Sequence, residues 1–432
     1  MPERPADAPD QVTFDLDGEA VAVPDDGGSL LGALRDHLGR RGPKDGCSPQ
    51  GQCGCCTVLV DGAPRVACVT PARRVAGRSI TTVDGLDPDV RTAWTEALCA
   101  TGGSQCGFCT PGIVVRLAGL RAKGGSVHDH APVERALAAH LCRCTGWQTI
   151  VEAWDRLGEP IPDRDLDAAS RRAAIEGRAP QRVAPAVAAG RGGFADDAAP
   201  DDALVAVRAA DGSWAVGETL AEARAVAGKV QGRRTTVEPR PPLAVPDGEW
   251  SAALRTGWVE PAYLETDASW CLPGGEPASA LANGGAFGAK APESLGAAAR
   301  ELADRHGRPV RVLWSREDVV RLGSKRPPLA GGARPDGTGA LVVARTPGIA
   351  AAIARVAPGL EVREVAVPGP PTSAAVRAAG WAEAVALLAG ARGRLEPVAG
   401  PEGGVAEAEV VDGTVRIRVE AGDPLDEVVL RS

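Results

Sequence analysis

Two close pairs of thiols, Cys106 with Cys109 and Cys142 with Cys144, stand at either end of a single stretch of the chain. It opens Ser104-Gln105-Cys106-Gly107-Phe108-Cys109-Thr110-Pro111-Gly112 and closes Cys142-Arg143-Cys144-Thr145-Gly146-Trp147. A thiolate ligand must be deprotonated, which a metal or a strong positive field makes cheap near neutral pH. Four such residues in two clips therefore read as a metal site. Tetrahedral zinc and a [2Fe-2S] cluster both accept four cysteines. A second cysteine-dense run, Gly46-Cys47-Ser48-Pro49-Gln50-Gly51-Gln52-Cys53-Gly54-Cys55-Cys56, precedes it, with Cys68 further on, and its glycines leave backbone amides free to reach sulfur.

Helix ends and short strands must hold these thiols. Thr110 and Pro111 read as an N-cap followed by Pro at the first helical position, and Ile113, Val114, Leu117 and Leu120 recur at helical spacing. A second helix around Val133 to His140 ends on Cys142, and Thr145 opens a third with Ile150, Trp154 and Leu157 on one face. Ahead of the first run, Val12 to Asp17 alternates, turns at Gly18-Glu19 and returns through Val21 to Val23 as a hairpin. Ser29 caps a short helix carrying Leu30, Leu34 and Leu38. Thr57 to Val60 reads as a strand that turns at Asp61-Gly62 toward Val66-Ala67-Cys68.

The stretch from Ser104 to Trp147 resembles the helical iron-sulfur domain of the molybdenum hydroxylases, the xanthine dehydrogenase, aldehyde oxidase and carbon monoxide dehydrogenase family. The earlier run is similar to the plant-type ferredoxin loop, Cys-x4-Cys-x2-Cys with a later fourth ligand. It departs from it in that five residues separate Cys47 from Cys53, and Cys55 stands where the family usually has Ala. The resemblance implies two [2Fe-2S] clusters, one on Cys47, Cys53, Cys56 and Cys68, with Cys55 an alternative to Cys56, and one on Cys106, Cys109, Cys142 and Cys144. It also implies an α+β multidomain chain: a β-grasp ferredoxin-like domain over 1–86, a four-helix-bundle [2Fe-2S] domain over 87–160, a Pro- and Ala-rich linker over 161–192, and an α/β molybdopterin-subunit-like region. That last region divides into a hammerhead-like segment at 193–245, around Phe194-Ala195-Asp196-Asp197, and an abridged molybdopterin-binding-like domain at 246–432.

Within the last domain, Trp258 to Thr266 matches a strand-and-turn signature, and Gly284-Gly285-Ala286-Phe287-Gly288-Ala289-Lys290 resembles the family's Gly-Gly-x-Phe-Gly-Gly-Lys loop. The order continues through Leu295, Ala298, Ala299 and Leu302, the strand Val310 to Trp314, and Ser315 to Asp318, with a fainter echo from Pro371 to Val385 that includes Arg377. By this resemblance Gln105 hydrogen-bonds a molybdopterin, and Gly285, Phe287 and Gly288 line its edge. The family's general base comes from a Gly-x-Gly-Glu segment. Pro401-Glu402-Gly403-Gly404 has the wrong order, so no catalytic residue is assigned. Molybdenum, base and most substrate contacts are expected on a partner.

Composition bounds the rest. The chain has 432 residues and a net charge of −8 without a basic patch, which argues against a nucleic-acid partner. No apolar run reaches membrane-spanning length, and the acidic, Pro-rich start lacks a signal-peptide core, so a cytoplasmic location is expected. Cysteines bunched as ligand clips suit a reducing compartment. Cys55, Cys99 and Cys271 read as buried structural thiols, His37, His140 and His306 as surface or capping residues on helices, and His128 and His130 as a solvated loop. Two functions compete. One is an electron-transfer subunit that passes electrons from a large molybdopterin subunit through both clusters to an FAD subunit. The other is a stand-alone carrier or scaffold whose C-terminal half is a docking module.

Overall fold

Strands β1 (Gln11–Leu16) and β2 (Glu19–Pro24) pair antiparallel through the expected hairpin, and Val12, Phe14 and Leu16 alternate onto the buried face. The computed structural model describes residues 11–47, 49–124, 129–159, 165–167, 182–228, 240–278, 285–290, 293–399, 405–411 and 414–420. With β3 (Thr57–Val60), β4 (Ala63–Val66) and β5 (Ser79–Thr81) the hairpin makes a five-stranded mixed sheet of order β2-β1-β5-β3-β4. Ser29 caps α1 (Leu30–Gly32) by accepting from Gly32 N–H, and a π-helical turn over Ala33–His37 prolongs it. Leu30, Leu31 and Leu34 bury its apolar stripe.

Four helices follow: α2 (Pro88–Thr101), α3 (Thr110–Arg121), α4 (His130–Leu137) and α5 (Gln148–Asp155). Trp94 of α2 and Trp154 of α5 pack with ring centroids 5.8 Å apart, and Asp87 caps α2. Two helix starts differ from the sequence expectation. Cys109, not Thr110, is the N-cap of α3, because Thr110 directs its hydroxyl to Ser104 Oγ at 3.1 Å. Thr145 does not open α5, which begins at Gln148; its hydroxyl lies 3.2 Å from Cys142 Sγ instead. The sheet module and the helices share one continuous core, from Phe14 and Leu34 to Ile113, Leu117 and Trp154.

Beyond it, α6 (Pro185–Ala188) and α7 (Ala195–Ala198) lead into β6 (Leu204–Arg208), β7 (Trp214–Gly217) and α8 (Leu220–Val226). Strands β8 (Ala252–Arg255) and β9 (Ala268–Cys271), helix α9 (Glu293–His306), β10 (Val310–Leu313) and α10 (Arg316–Leu322) come next. They are followed by β11 (Leu329–Ala333), β12 (Gly339–Ala344), α11 (Ile349–Val356), β13 (Leu360–Val365) and α12 (Trp381–Arg392). Two four-stranded sheets result, of order β7-β6-β10-β9 and β13-β12-β11-β8, and the stripe Leu295, Ala298, Ala299 and Leu302 of α9 is buried as expected. The segment Trp258 to Thr266 forms only an isolated bridge, Val259 with Arg326, and the strand begins after it at Ala268. Strands over Val405–Val411 and Thr414–Glu420 pair antiparallel.

The C-terminal half is tied to the sheet module by buried charge. Arg35 donates to Asp196 at 2.7 Å and Asp197 at 2.8 Å, Arg311 reaches Asp196 at 2.7 Å and also Asp36, and Lys44 bonds Asp197 and Gly190 O. Arg316 donates to the carbonyls of Gly46, Tyr263 and Leu264 at 2.6 to 2.7 Å. Burial alone would lower Arg35, but Asp197 and Asp196 beside it hold its guanidinium firmly protonated.

Candidate metal centres

Glycine and the helix ends bring the thiols together. In the first set Cys47 is in thiol contact with Cys53 and Cys68, and Cys68 with Cys56, whose sulfur also receives Cys68 N–H at 3.4 Å. Gln50 N–H donates to Cys47 Sγ at 3.1 Å. Cys55 is also in thiol contact with Cys53 and donates to Cys53 O at 3.8 Å; a side chain on Gly46 would meet the Cys53 and Cys55 sulfurs at 3.1 Å and Phe108 at 3.2 Å. In the second set Cys144 Sγ lies 3.3 Å from Cys106 Sγ, and Cys142 is in thiol contact with Cys109 and Cys144. Phe108 N–H points at Cys106 Sγ from 3.4 Å and Thr145 N–H at Cys142 Sγ from 3.5 Å.

Electrostatics follows from that crowding. The thiols of Cys53 and Cys68 hold Cys47 toward the thiolate, and those of Cys109 and Cys144 do the same for Cys142. The Cys47 thiol raises Cys53 and Cys68 in turn, Cys142 raises Cys109, and Cys106 raises Cys144. Four thiolates this close repel unless a cation sits among them, and backbone N–H groups aimed at sulfur favour the charged form. A two-iron cluster bridged by sulfide asks for two thiolates per iron, and close pairs such as Cys106 with Cys144 suit that demand.

The two sets adjoin. Leu141 N–H donates to Cys53 O at 2.9 Å, so one hydrogen bond joins a residue of the first set to the neighbour of Cys142. His140 sits in the seam. It was expected as a surface or capping residue on a helix, but it lies past the end of α4 and is buried, because Gly54 has no side chain to displace it. Thr57 Oγ1 donates to Gly54 O at 2.8 Å and so accepts from His140 Nε2, 2.9 Å away; burial, with Arg116 nearby, lowers that imidazole to about 4. Cys55, Cys99 and Cys271 are buried, as expected.

Gln105 is half-buried beside Cys106. The turn at 285–288 lies against Arg143, the residue between Cys142 and Cys144. Phe287, at φ +50°, has Arg143 over its ring at 5.7 Å and Arg377 at 4.8 Å, and its carbonyl accepts from Arg377 N–H at 2.7 Å. Glycine is required at Gly288, where a Cβ would stand 1.9 Å from Ala375 O, and at Gly285, where it would meet Arg143 Cβ at 2.8 Å. Gly284, His128 and Glu402 lie outside the described residues. The reading of the sequence passed over Arg143, though its place in Cys-Arg-Cys was the available signal. Nothing local in the sequence marked Asp196 and Arg35 as partners.

Residues 82–155 match the family model of the [2Fe-2S] binding domain, so the helical module is that of an iron-sulfur protein. The chain is 38% identical over 142 residues to the isoquinoline 1-oxidoreductase subunit alpha of Brevundimonas diminuta, covering 32% of this chain and 91% of that one. It is 33% identical over 204 residues to the xanthine dehydrogenase of Blastobotrys adeninivorans, covering 43% of this chain but only 14% of that protein's length. Its fold is like that of the aldehyde oxidoreductase from Desulfovibrio gigas, with a TM-score of 0.61 at 21% identity over 88% of this chain and 60% of that one. The chain belongs to the xanthine dehydrogenase family of molybdenum hydroxylases, and is an oxidoreductase component. No helix among the described residues is long and apolar enough to cross a membrane.

Proposed function

We propose that this chain is the iron-sulfur electron-transfer subunit of a multi-subunit molybdenum hydroxylase. In this reading Cys106, Cys109, Cys142 and Cys144 hold the [2Fe-2S] cluster nearer the molybdopterin, and Cys47, Cys53, Cys56 and Cys68 hold the one nearer a flavin. The observation that carries it is the contact between the two thiol sets through Leu141 N–H and Cys53 O, 2.9 Å apart, since a hydrogen bond couples two redox sites better than an open gap. The reading of Cys56 over Cys55 is supported by the amide of Cys68, which faces the Cys56 sulfur.

When bound, molybdopterin supplies the two-electron oxidation of substrate. This chain's part is to border it: Gln105 offers an amide, and the turn through Gly285, Phe287 and Gly288 brings Arg143 and Arg377 to one ring, a cationic edge suited to an anionic pterin phosphate. Molybdenum, general base and substrate pocket belong to a large partner subunit, and FAD to another, in the cytoplasm. A docking role for the C-terminal half is the second reading, favoured by the buried charges through which Asp196 and Asp197 grip the sheet module.

Metal and sulfide analysis of the native-host protein tests the proposal. About four iron and four acid-labile sulfides per chain, with two reduced signals in electron paramagnetic resonance, are expected for two such clusters. Cys142→Ser should abolish one signal and spare the other. Stoichiometric zinc without sulfide would sink the assignment. The isolated chain should accept electrons from dithionite yet oxidise no purine, aldehyde or carbon monoxide. Substrate turnover by the pure chain would overturn the subunit model.

A further inference from the structure

Arg143 stands between two thiols of the helical set, yet its side chain belongs to the other half of the molecule. Its Nε donates to Pro261 O at 2.6 Å, and its guanidinium carbon lies 5.7 Å from the centre of the Phe287 ring. The absence of a side chain at Gly285 leaves room for its methylenes. Phe287 keeps a left-handed backbone that a bulky residue adopts at a cost of roughly 1–3 kcal/mol, and is fixed there by Arg377 N–H. The C-terminal half thus holds a positive charge on the solvent-exposed residue that separates Cys142 from Cys144 in the chain.

We infer that Arg143 is a positioning residue for electron transfer: clamped by Pro261 and Phe287, it sets the reduction potential of the helical cluster, so that the C-terminal half controls the potential of a centre it does not ligate. The inference rests on the cluster assignment proposed above. Reduction adds one electron to a cluster held by four thiolates, so the negative charge of the site rises by one, with no bond made or broken. A fixed cation nearby favours the more negative, reduced state.

An electron-paramagnetic-resonance redox titration of the full, cluster-loaded chain tests it. Arg143→Met should lower the midpoint of the helical cluster by about a tenfold change in its reduction equilibrium, about 59 mV for a one-electron couple, and leave the other cluster unmoved. Arg143→Lys, which keeps the charge, should recover most of that shift. Phe287→Leu keeps the arginine but loosens its hold, and should shift the same cluster the same way by less. An unmoved midpoint in Arg143→Met, or equal shifts in both clusters, overturns the inference. Should Arg143→Met lose its iron, Phe287→Leu decides alone, and an intact cluster at the parent midpoint overturns the inference. Failure of the assignment itself would look different, as zinc in the parent protein rather than an iron signal that does not move.

Discussion

A methyl group added at Gly54 would stand 2.4 Å from the His140 ring and 2.7 Å from Ala139 O, at a backbone φ of +72°. Gly62 has nearly the same φ, +73°, with nothing within 4 Å of such a methyl. The two positions separate strain from packing. Gly62→Ala should cost about 1 kcal/mol, the price of a left-handed conformation for an L-residue. Gly54→Ala should cost about 2 kcal/mol more, because the seam between the two cysteine sets must open to admit it. Urea unfolding of both variants measures this, and equal losses would show that His140 yields freely.

Among elements, α10 has the most specific task. Ser315 and Asp318 form a capping box at its start, which orients Arg316 toward the carbonyls of Gly46, Tyr263 and Leu264. Ser315→Ala should cost about 1 kcal/mol, the usual worth of an N-cap. Arg316→Met should cost about 3 kcal/mol, since it strips charged hydrogen bonds from three carbonyls; calorimetry ranks the two. The elements themselves were largely legible in the sequence: the β1–β2 hairpin, the Ser29 cap, α3 and the buried stripe of α9 follow from period and capping residues. The grouping of the cysteines that converge was legible too, because they stand in close pairs and runs in the sequence. What period could not convey was where hydroxyls go once sulfur is near. Thr110 and Thr145 look like caps in sequence, but one bonds Ser104 and the other Cys142. His140 was misjudged for a related reason, since its burial depends on Gly54, far away in the chain.

At the scale of the whole molecule, the ion network of Arg35, Arg311, Asp196 and Asp197 decides how the halves respond to acid. Burial alone would raise the Asp196 carboxyl, but Arg311 and Arg35 hold it well below the usual carboxylate range. A depressed carboxylate stabilises the fold above its unfolded value of roughly 4, and that contribution is lost as pH falls below it toward the folded value. Asp196→Asn should therefore be destabilised by about 3 kcal/mol at pH 7, where two nearly buried guanidinium groups lose a counter-charge. Its deficit against the parent should shrink as pH drops below roughly 4. A constant deficit in thermal unfolding across that range would count against the network.

The same network bears on modularity. Some relatives in this family are small subunits of their own; the one from Brevundimonas diminuta is matched over 91% of its length by a third of this chain. A polypeptide cut from this sequence after α5 would not simply reproduce such a subunit. It would carry Arg35 and Lys44 with their carboxylate partners amputated, and Gly46 with an orphaned carbonyl, on a newly wetted face. Converting this fused protein into a free-standing module therefore calls for redesign of that face as well as a stop codon.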